Sequence, residues 1–175
     1  NGDAFIACDP SGIRPCFFYY DDEFLVAASE RATIATVFNL APEAIQELPP
    51  AHILTVKAHN NQIQCRPFIQ AREKKSCSFE RIYFSRGTDK DIYQERKNLG
   101  KYVIPKILEA INFELENTVF SFIPNTAEIA FHGMVEELQE FIDGHKIEAM
   151  KRIGSDASAE EIRRIINQHP RVEKL

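Results

Sequence analysis

The side chains in this sequence with the greatest capacity for chemistry are four cysteines and five histidines. No two of them have the spacing of a metal site or of a CxxC redox pair, and four cysteines in 175 residues are too sparse for a disulfide framework. The sequence therefore predicts packed or surface roles for these side chains and favours a reducing, cytoplasmic setting. The residues are Cys8, Cys16, Cys65, Cys77, His52, His59, His132, His145 and His169.

The segment Asp9-Pro-Ser-Gly-Ile-Arg-Pro15 combines opposite charges with residues that form turns. Gly12 can supply a positive φ, and the proline that ends the segment can begin a strand. Asp9 and Arg14 lie close enough in sequence to form an ion pair within such a turn. From the residues alone, this segment is predicted to be a structural turn with an internal Asp–Arg pair.

Two further polar positions stand where helices are predicted to begin. Ser29 suits an N-cap, and Glu30 suits the first turn of a short helix that ends at Phe38, because the free amides there favour oxygen acceptors and negative charge. Thr126 suits the N-cap of a second helix, which begins at Ala127. Each has a purely structural interpretation.

The composition bounds the class of protein. The sequence is 44% hydrophobic and 27% charged, as in soluble globular domains, and its net charge is −5. Interspersed charges and an acidic balance argue against a general nucleic-acid binder. No apolar run approaches the roughly 20 residues of a membrane-spanning helix, so no membrane partner is expected. Because the sequence lacks both an initiating Met and a signal peptide, we expect an internal piece of a longer protein.

The first part of the chain has the pattern of antiparallel β structure. Short apolar runs are separated by turn residues, with hairpin turns expected at Asp21–Glu23 and His59–Asn61. A charged, non-periodic link at 71–76 marks the predicted domain boundary. The predicted elements are strands at Ala4–Cys8, Cys16–Tyr20, Phe24–Ser29, Ile53–Lys57 and Gln62–Arg66, and a helix at Glu30–Phe38.

The second part changes to helical periodicity. A helix is predicted over Tyr93–Leu115, followed by a buried strand at Thr118–Ile123 and a second amphipathic helix. A polar helical tail follows, with a capping box at Ser158-Ala-Glu-Glu161. This order predicts an α+β chain whose second part opens a parallel α/β sheet that needs further strands. The predicted apolar faces are Leu99, Val103, Ile107, Ile111 and Leu115 on the first helix, and Phe131, Met134, Val135, Leu138, Phe141 and Ile142 on the second.

Motifs in a fixed order connect these elements to a known family. Over about Asp3–Glu140 the chain resembles the amidophosphoribosyltransferases, also called glutamine phosphoribosylpyrophosphate amidotransferases, as a divergent internal fragment. The strings that carry the resemblance are Asp9-Pro-Ser-Gly-Ile-Arg-Pro15, Val26-Ala-Ala-Ser-Glu30, Cys77-Ser-Phe-Glu-Arg-Ile-Tyr-Phe-Ser-Arg86, Glu95-Arg-Lys-Asn-Leu-Gly100 and Ile123-Pro-Asn-Thr126.

The resemblance implies a fold and a reaction. Residues 1–70 would be the C-terminal half of an N-terminal-nucleophile (class II) glutaminase domain, 71–76 a linker, 77–143 the start of a type I phosphoribosyltransferase domain, and 144–175 a polar helical segment. The family hydrolyses glutamine at an N-terminal cysteine and transfers ammonia to phosphoribosyl pyrophosphate, with magnesium, in purine biosynthesis. Both catalytic centres would lie outside this chain, which would be inactive alone. The longer protein to which this chain would belong is called the parent protein. It would bind glutamine and phosphoribosyl pyrophosphate and form a homo-oligomer.

The resemblance also implies roles for single residues. Cys77 falls where some members ligate an iron–sulfur cluster. The other three thiolates would have to come from sequence beyond this chain, so a buried, small apolar role is favoured. Thr126 falls near the magnesium of phosphoribosyl pyrophosphate, an interpretation weighed equally with the N-cap. The motif residues could support the glutamine pocket, but the structural interpretation is favoured; they are Asp9, Gly12, Arg14, Ser29 and Glu30.

The sequence departs from the family at specific places. Asn125 replaces an acidic residue, the loop 87–93 is shorter, and the tail after Asp143 does not match the family. An amide can accept a hydrogen bond from a metal-bound water but gives a cation no full negative charge. These differences leave an alternative open, namely a catalytically degenerate paralogue that acts as a nucleotide- or phosphosugar-binding regulatory protein.

Overall fold

The computed structural model describes residues 2–154 and 157–174, which form mixed α/β structure in two compact units, Asn1–Ile92 and Tyr93–Leu175. The strands are β1 (Ala4–Ala7), β2 (Phe17–Tyr20), β3 (Leu25–Ala28), β4 (Gln46–Glu47), β5 (His52–Val56), β6 (Ile63–Pro67), β7 (Val119–Phe120) and β8 (Arg171–Val172). The helices are α1 (Arg31–Phe38), α2 (Lys90–Ala110), α3 (Glu128–Ile153) and α4 (Ala159–Ile166), with a 3₁₀ turn at Pro42–Ala44 and a π-helical turn at Glu80–Phe84.

Two three-stranded antiparallel sheets make up the first unit, in the orders β1-β5-β6 and β3-β2-β4. The expected hairpins are present: β2 pairs with β3 across Asp21–Glu23, and β5 pairs with β6 across a turn in which Asn61 has a φ of 52°. The buried core draws on both sheets, because β2 contributes Phe18 and β5 contributes Leu54. This confirms the antiparallel β structure predicted for the first part of the chain.

One strand of this unit was not predicted. Strand β4 is two residues long and pairs with Phe17 and Phe18 at the edge of its sheet. Its residues, Gln46 and Glu47, are exposed, so no apolar alternation marks them in the sequence.

In the second unit, α2 and α3 share a hydrophobic core with Phe120 of β7. The six apolar residues predicted for one face of α3 all belong to the hydrophobic core, with Leu138 and Ile142 fully buried. Strand β8 pairs with β7 in parallel, so the predicted strand has one parallel neighbour within the tail of the chain. Helix α3 continues unbroken to Ile153, and the predicted boundary between 143 and 144 therefore falls inside a helix.

The apolar face predicted for the first helix is correct only in its later part. Ile107, Ile111 and Leu115 pack against the core, next to the buried Ile104 and Leu108. Leu99 and Val103 are each 45% exposed, so the earlier part of the predicted face is wrong. The helix also ends at Ala110, because Asn112 and Phe113 take positive φ values of 50° and 59° that no α-helix continues through. Within residues 2–154 and 157–174, no helix combines the length and the apolar character needed to cross a membrane.

Candidate functional site

The Asp9–Ile13 loop is held by its own aspartate. The Asp9 carboxylate accepts hydrogen bonds from the backbone N–H groups of Ser11 at 2.9 Å and Ile13 at 2.8 Å. Gly12 has the predicted positive φ, 59°, and a Cβ there would lie 2.9 Å from Cγ of Pro50. Both the conformation and the space at this position therefore favour glycine.

Arg14 does not pair with Asp9, which corrects the predicted Asp–Arg turn pair. Its guanidinium bonds the carboxylate of Glu80 and lies 5.6 Å from the ring centroid of Phe84, both in the π-helical turn. The Glu80 side chain is only 6% exposed, so Arg14 supplies the positive charge that a nearly buried carboxylate requires. The pair is long-range because the Asp9 carboxylate is already used by backbone amides.

The segment predicted as a free linker runs along this loop instead. The backbone N–H groups of Arg72, Lys75 and Cys77 donate to the carbonyl oxygens of Pro10, Ser11 and Ile13, at 2.8 to 3.0 Å. Together with the Arg14–Glu80 pair, these bonds attach residues 72–80 to the first unit. This attachment explains why the two compact units divide after Ile92 rather than at 71–76; the domain assignment itself stays a prediction.

Ser29 and Glu30 also have different roles from those predicted. Glu30 is the N-cap residue of α1 but makes no side-chain capping bond, and Ser29 is exposed before it. The Glu30 carboxylate instead accepts the backbone N–H of Arg86 at 3.1 Å, with Nε of Arg86 3.8 Å away. Glu30 therefore contacts the segment that follows the π-helical turn, and its side chain does not cap α1.

Arg31 makes the strongest contact of this group. Its Nε and Nη2 donate to the two oxygens of Asp89 at 2.9 and 2.8 Å, and Nη2 also reaches Asp91 at 2.6 Å. The Asp89 carboxylate accepts the N–H groups of Asp91 and Ile92 as well, so it caps the first turn of α2. Burial opposes ionisation of Asp89, but these bonds outweigh it and lower the pKa of Asp89, while Asp89 raises the pKa of Arg31.

These contacts surround a cavity of about 190 Å³ in the first unit. We use the name seam for the contacts that join residues 72–92 to the Asp9–Arg14 loop and to the start of α1. The charged side chains that line this cavity are paired, and among them Lys74 pairs with Glu47 at 2.8 Å. A cavity lined by satisfied charges is suited to holding segments together, because an incoming charged ligand would have to displace existing pairs.

Cys77 lies half-buried on the wall of this cavity. A cubane cluster needs four thiolates, and the described residues contain no group of three or more His, Cys, Asp or Glu side chains that could hold a metal ion. The described residues alone therefore do not supply the ligands of a cubane cluster, and a cluster completed by thiolates from elsewhere in a longer protein stays a prediction. Burial raises the pKa of the Cys8 and Cys16 thiols, which disfavours the nucleophilic thiolate at both of them.

Thr126 does not cap α3. The N-cap residue is Ala127, which makes no side-chain capping bond, and the N–H of Glu128 is taken by the carbonyl of Asn125 at 3.2 Å. Thr126 is half-buried and Asn125 is exposed in the turn that precedes the helix. One hydroxyl and one amide do not amount to a magnesium site, so these residues alone do not fit the ion.

The sequence analysis did not identify Arg31, Glu80 or Asp89. Asp89 had a usable signal, since an aspartate just before a periodic apolar segment suggests an N-cap. Arg31 and Glu80 had none, because their partners lie 58 and 66 residues away. The second unit has its own, more open cleft of about 710 Å³, with Phe113, Phe141 and His145 among its walls.

Comparisons with known proteins complete this description. Neither the protein-family models nor the curated proteins give a match. Among solved structures, the chain is similar to the glutamine phosphoribosylpyrophosphate (PRPP) amidotransferase from B. subtilis in complex with ADP and GMP, at a TM-score of 0.55 and 25% identity. The match covers 77% of this chain and 28% of that chain, so this chain spans less than a third of its length. The likeness supports a distant relationship to a PRPP amidotransferase.

Proposed function

We propose that this chain is the structural junction of a glutamine-dependent amidophosphoribosyltransferase. In this proposal residues 1–70 belong to a class II glutaminase domain of the N-terminal-nucleophile type, 71–76 link it to the next domain, and 77–143 begin a type I phosphoribosyltransferase domain. The parent protein would hydrolyse glutamine and transfer the ammonia to PRPP in the cytoplasm, as a homo-oligomer. The observation that carries the proposal is the structural match to a PRPP amidotransferase over 77% of the chain.

The seam supports a junction role. The motif string Asp9–Pro15 and the residues Glu30 and Arg31 bind the segment that leads into α2, through backbone bonds and three sets of ion pairs. Such contacts position chain segments and do not activate a nucleophile. We therefore propose that the chain contributes the attachment between the two domains rather than catalytic groups.

The cysteines support the same division of labour. An N-terminal-nucleophile enzyme uses a side chain activated by its own α-amino group, and the nearest cysteine to the start of the chain is Cys8. Cys8 is 5% exposed and packs in the core of the first unit. Cys8 is therefore not proposed as the nucleophile, and we propose that the chain alone is inactive.

A second candidate is favoured by one residue. Asn125 stands where the resembling family has an acidic residue, and neither Asn125 nor Thr126 fits a magnesium site by itself. The parent could then be a regulatory paralogue that binds a nucleotide or a phosphosugar without transferring ammonia. The two candidates differ in product formation and agree on ligand class.

The test is an assay of the whole gene product for glutamate release, with and without PRPP and Mg²⁺, together with the 175-residue chain alone. We expect PRPP to stimulate glutamate release by the whole protein, and no release by the chain alone. Glutamate release by the chain alone would contradict the junction role. PRPP or nucleotide binding without phosphoribosylamine formation would favour the regulatory candidate.

A further inference from the structure

Helix α2 begins in the first unit and continues into the second. Its residues Lys90–Ile92 belong to the first unit, and the remainder, to Ala110, belongs to the second. The direction of a helix is determined by its first hydrogen-bonded turn, because each later residue extends the same ladder. Whatever holds the first turn of α2 therefore fixes where this helix starts and the direction in which it leaves the first unit.

Arg31 holds that turn through Asp89. The planar guanidinium bonds both oxygens of Asp89, and the same carboxylate caps the amides of Asp91 and Ile92. A bidentate pair of this kind fixes orientation as well as distance, which a single ammonium contact does not.

Burial makes this pair persistent. The side chains of Arg31 and Asp89 are 22% and 10% exposed, so water and salt compete with the pair far less than with an exposed one. Asp91, by contrast, is 60% exposed and adds a weaker, solvated contact to the same guanidinium. Arg31, the first residue of α1, thus bonds the carboxylate that caps α2.

We propose that Arg31 is a positioning residue that couples glutamine hydrolysis to PRPP binding in the parent protein, by fixing the first turn of α2. This inference rests on the proposed amidophosphoribosyltransferase function. Arg31 contacts neither substrate in this scheme, and its effect passes through Asp89 and the helix. Loss of the pair should therefore lower the response of the glutaminase to PRPP while basal glutamine hydrolysis continues.

The test compares three variants of the whole gene product, each assayed for glutamate release with and without PRPP and Mg²⁺. Arg31→Gln removes both the positive charge and the two N–H donors that bond the oxygens of Asp89. Arg31→Lys keeps the charge but loses this two-donor geometry. Lys74→Gln is the matched control, because Lys74 lines the same cavity but forms its ion pair with Glu47 of β4 rather than with the start of α2. Hydrogen exchange of the peptide 89–93 reports on the first turn of α2 directly.

For Arg31→Gln we expect the stimulation of glutamate release by PRPP to fall by about fivefold or more, while basal glutamate release stays unchanged. A factor of about five is the lower end of the usual coupling between two binding sites. We also expect faster exchange of the peptide 89–93. Arg31→Lys should retain part of the stimulation, and Lys74→Gln all of it. Loss of stimulation by the control as well would indicate a general effect of charge and overturn the proposal.

Two other results would overturn the role of Arg31 in coupling. Unchanged stimulation in Arg31→Gln would show that the pair is not needed, and an equal fall in basal and stimulated rates would show a purely structural role. If the unsubstituted protein shows no stimulation by PRPP, the proposed function fails and the coupling role with it. Hydrogen exchange of the peptide 89–93 would then still test whether Arg31 positions α2. Failure of the proposed function and failure of the positioning role are therefore distinguishable.

Discussion

Helices α2 and α3 approach each other through two glycines, and this contact offers a sharp test of the structure. A Cβ added at Gly133 would lie 2.0 Å from the carbonyl oxygen of Lys97, and one added at Gly100 would lie 1.7 Å from that of Ala130. In both cases the atoms met belong to the backbone of the facing helix, which cannot move aside as the end of a side chain can. Gly133→Ala should therefore force the two helices apart.

The expected size follows from two opposing effects. Overpacking of a core typically costs about 1–3 kcal/mol, and we take about 3 because the overlap is with backbone. Alanine gains about 1 kcal/mol over glycine in a helix interior, so the net loss for Gly133→Ala is about 2 kcal/mol. Gly144 lies in the same helix with no atom within 4 Å of an added Cβ, so Gly144→Ala should gain about 1 kcal/mol.

Thermal and urea unfolding, followed by the helical circular dichroism signal, measure this difference. The two variants should differ by about 3 kcal/mol, which corresponds to roughly 6–12 °C in Tm for a chain of this size. Because both substitutions are Gly→Ala in α3, effects on the unfolded chain cancel in the comparison. A Gly133→Ala protein as stable as the Gly144→Ala protein would refute the close helix contact.

Three further predictions concern single side chains. Asp89→Asn should destabilise the protein most above pH 3.8, the ordinary pKa of Asp. Burial opposes ionisation of Asp89, but hydrogen bonds from Arg31 lower the pKa of the folded carboxylate. The loss of unfolding free energy should therefore shrink as the pH falls further, as measured by urea unfolding from about pH 7 to about pH 2. Ser158→Ala should cost about 1 kcal/mol and speed amide exchange in α4, because it removes the capping box with Glu161. Thr126→Ala should change the free energy of unfolding by less than about 0.5 kcal/mol, since Thr126 is not an N-cap, and a loss near 1 kcal/mol would contradict this.

Local patterns in the sequence were sufficient for much of the fold. The hairpin at Asp21–Glu23 and the helix through Phe38 follow from turn residues and apolar runs, and the capping box at Ser158 follows from two residues three positions apart. The apolar face of α3 was also predictable, because its large side chains repeat at helical spacing. Each of these signals lies within a few residues of the element that it specifies.

The face of α2 shows where such patterns fail. The predicted stripe through Leu99 and Val103 consists of large apolar residues, whereas the buried face contains Arg96 and Gly100 as well as Ile104. A glycine and an arginine carry no hydrophobic signal, although the glycine is what allows the facing helix to approach. Periodicity therefore selected the wrong residues in the earlier part of α2, at Leu99 and Val103, although it identified Ile107, Ile111 and Leu115, which pack against the core.

The seam gives a different reason for the limits of sequence reasoning, and it bears on function. Arg14 and Glu30 were recognised as motif residues, but their motifs do not contain their partners, Glu80 and Arg86, whereas the Asp9 carboxylate bonds amides of its own loop. Because the charges of these residues are satisfied within the chain, the shared motif points to a shared way of attaching one segment to another. A binding or catalytic site instead needs polar side chains that remain available to a ligand. Asn125 and Thr126, just before α3, come closer to this condition than the paired charges of the seam. The seam contacts therefore bear on how the chain holds residues 72–92, and the proposed reaction is better tested at Asn125 and Thr126.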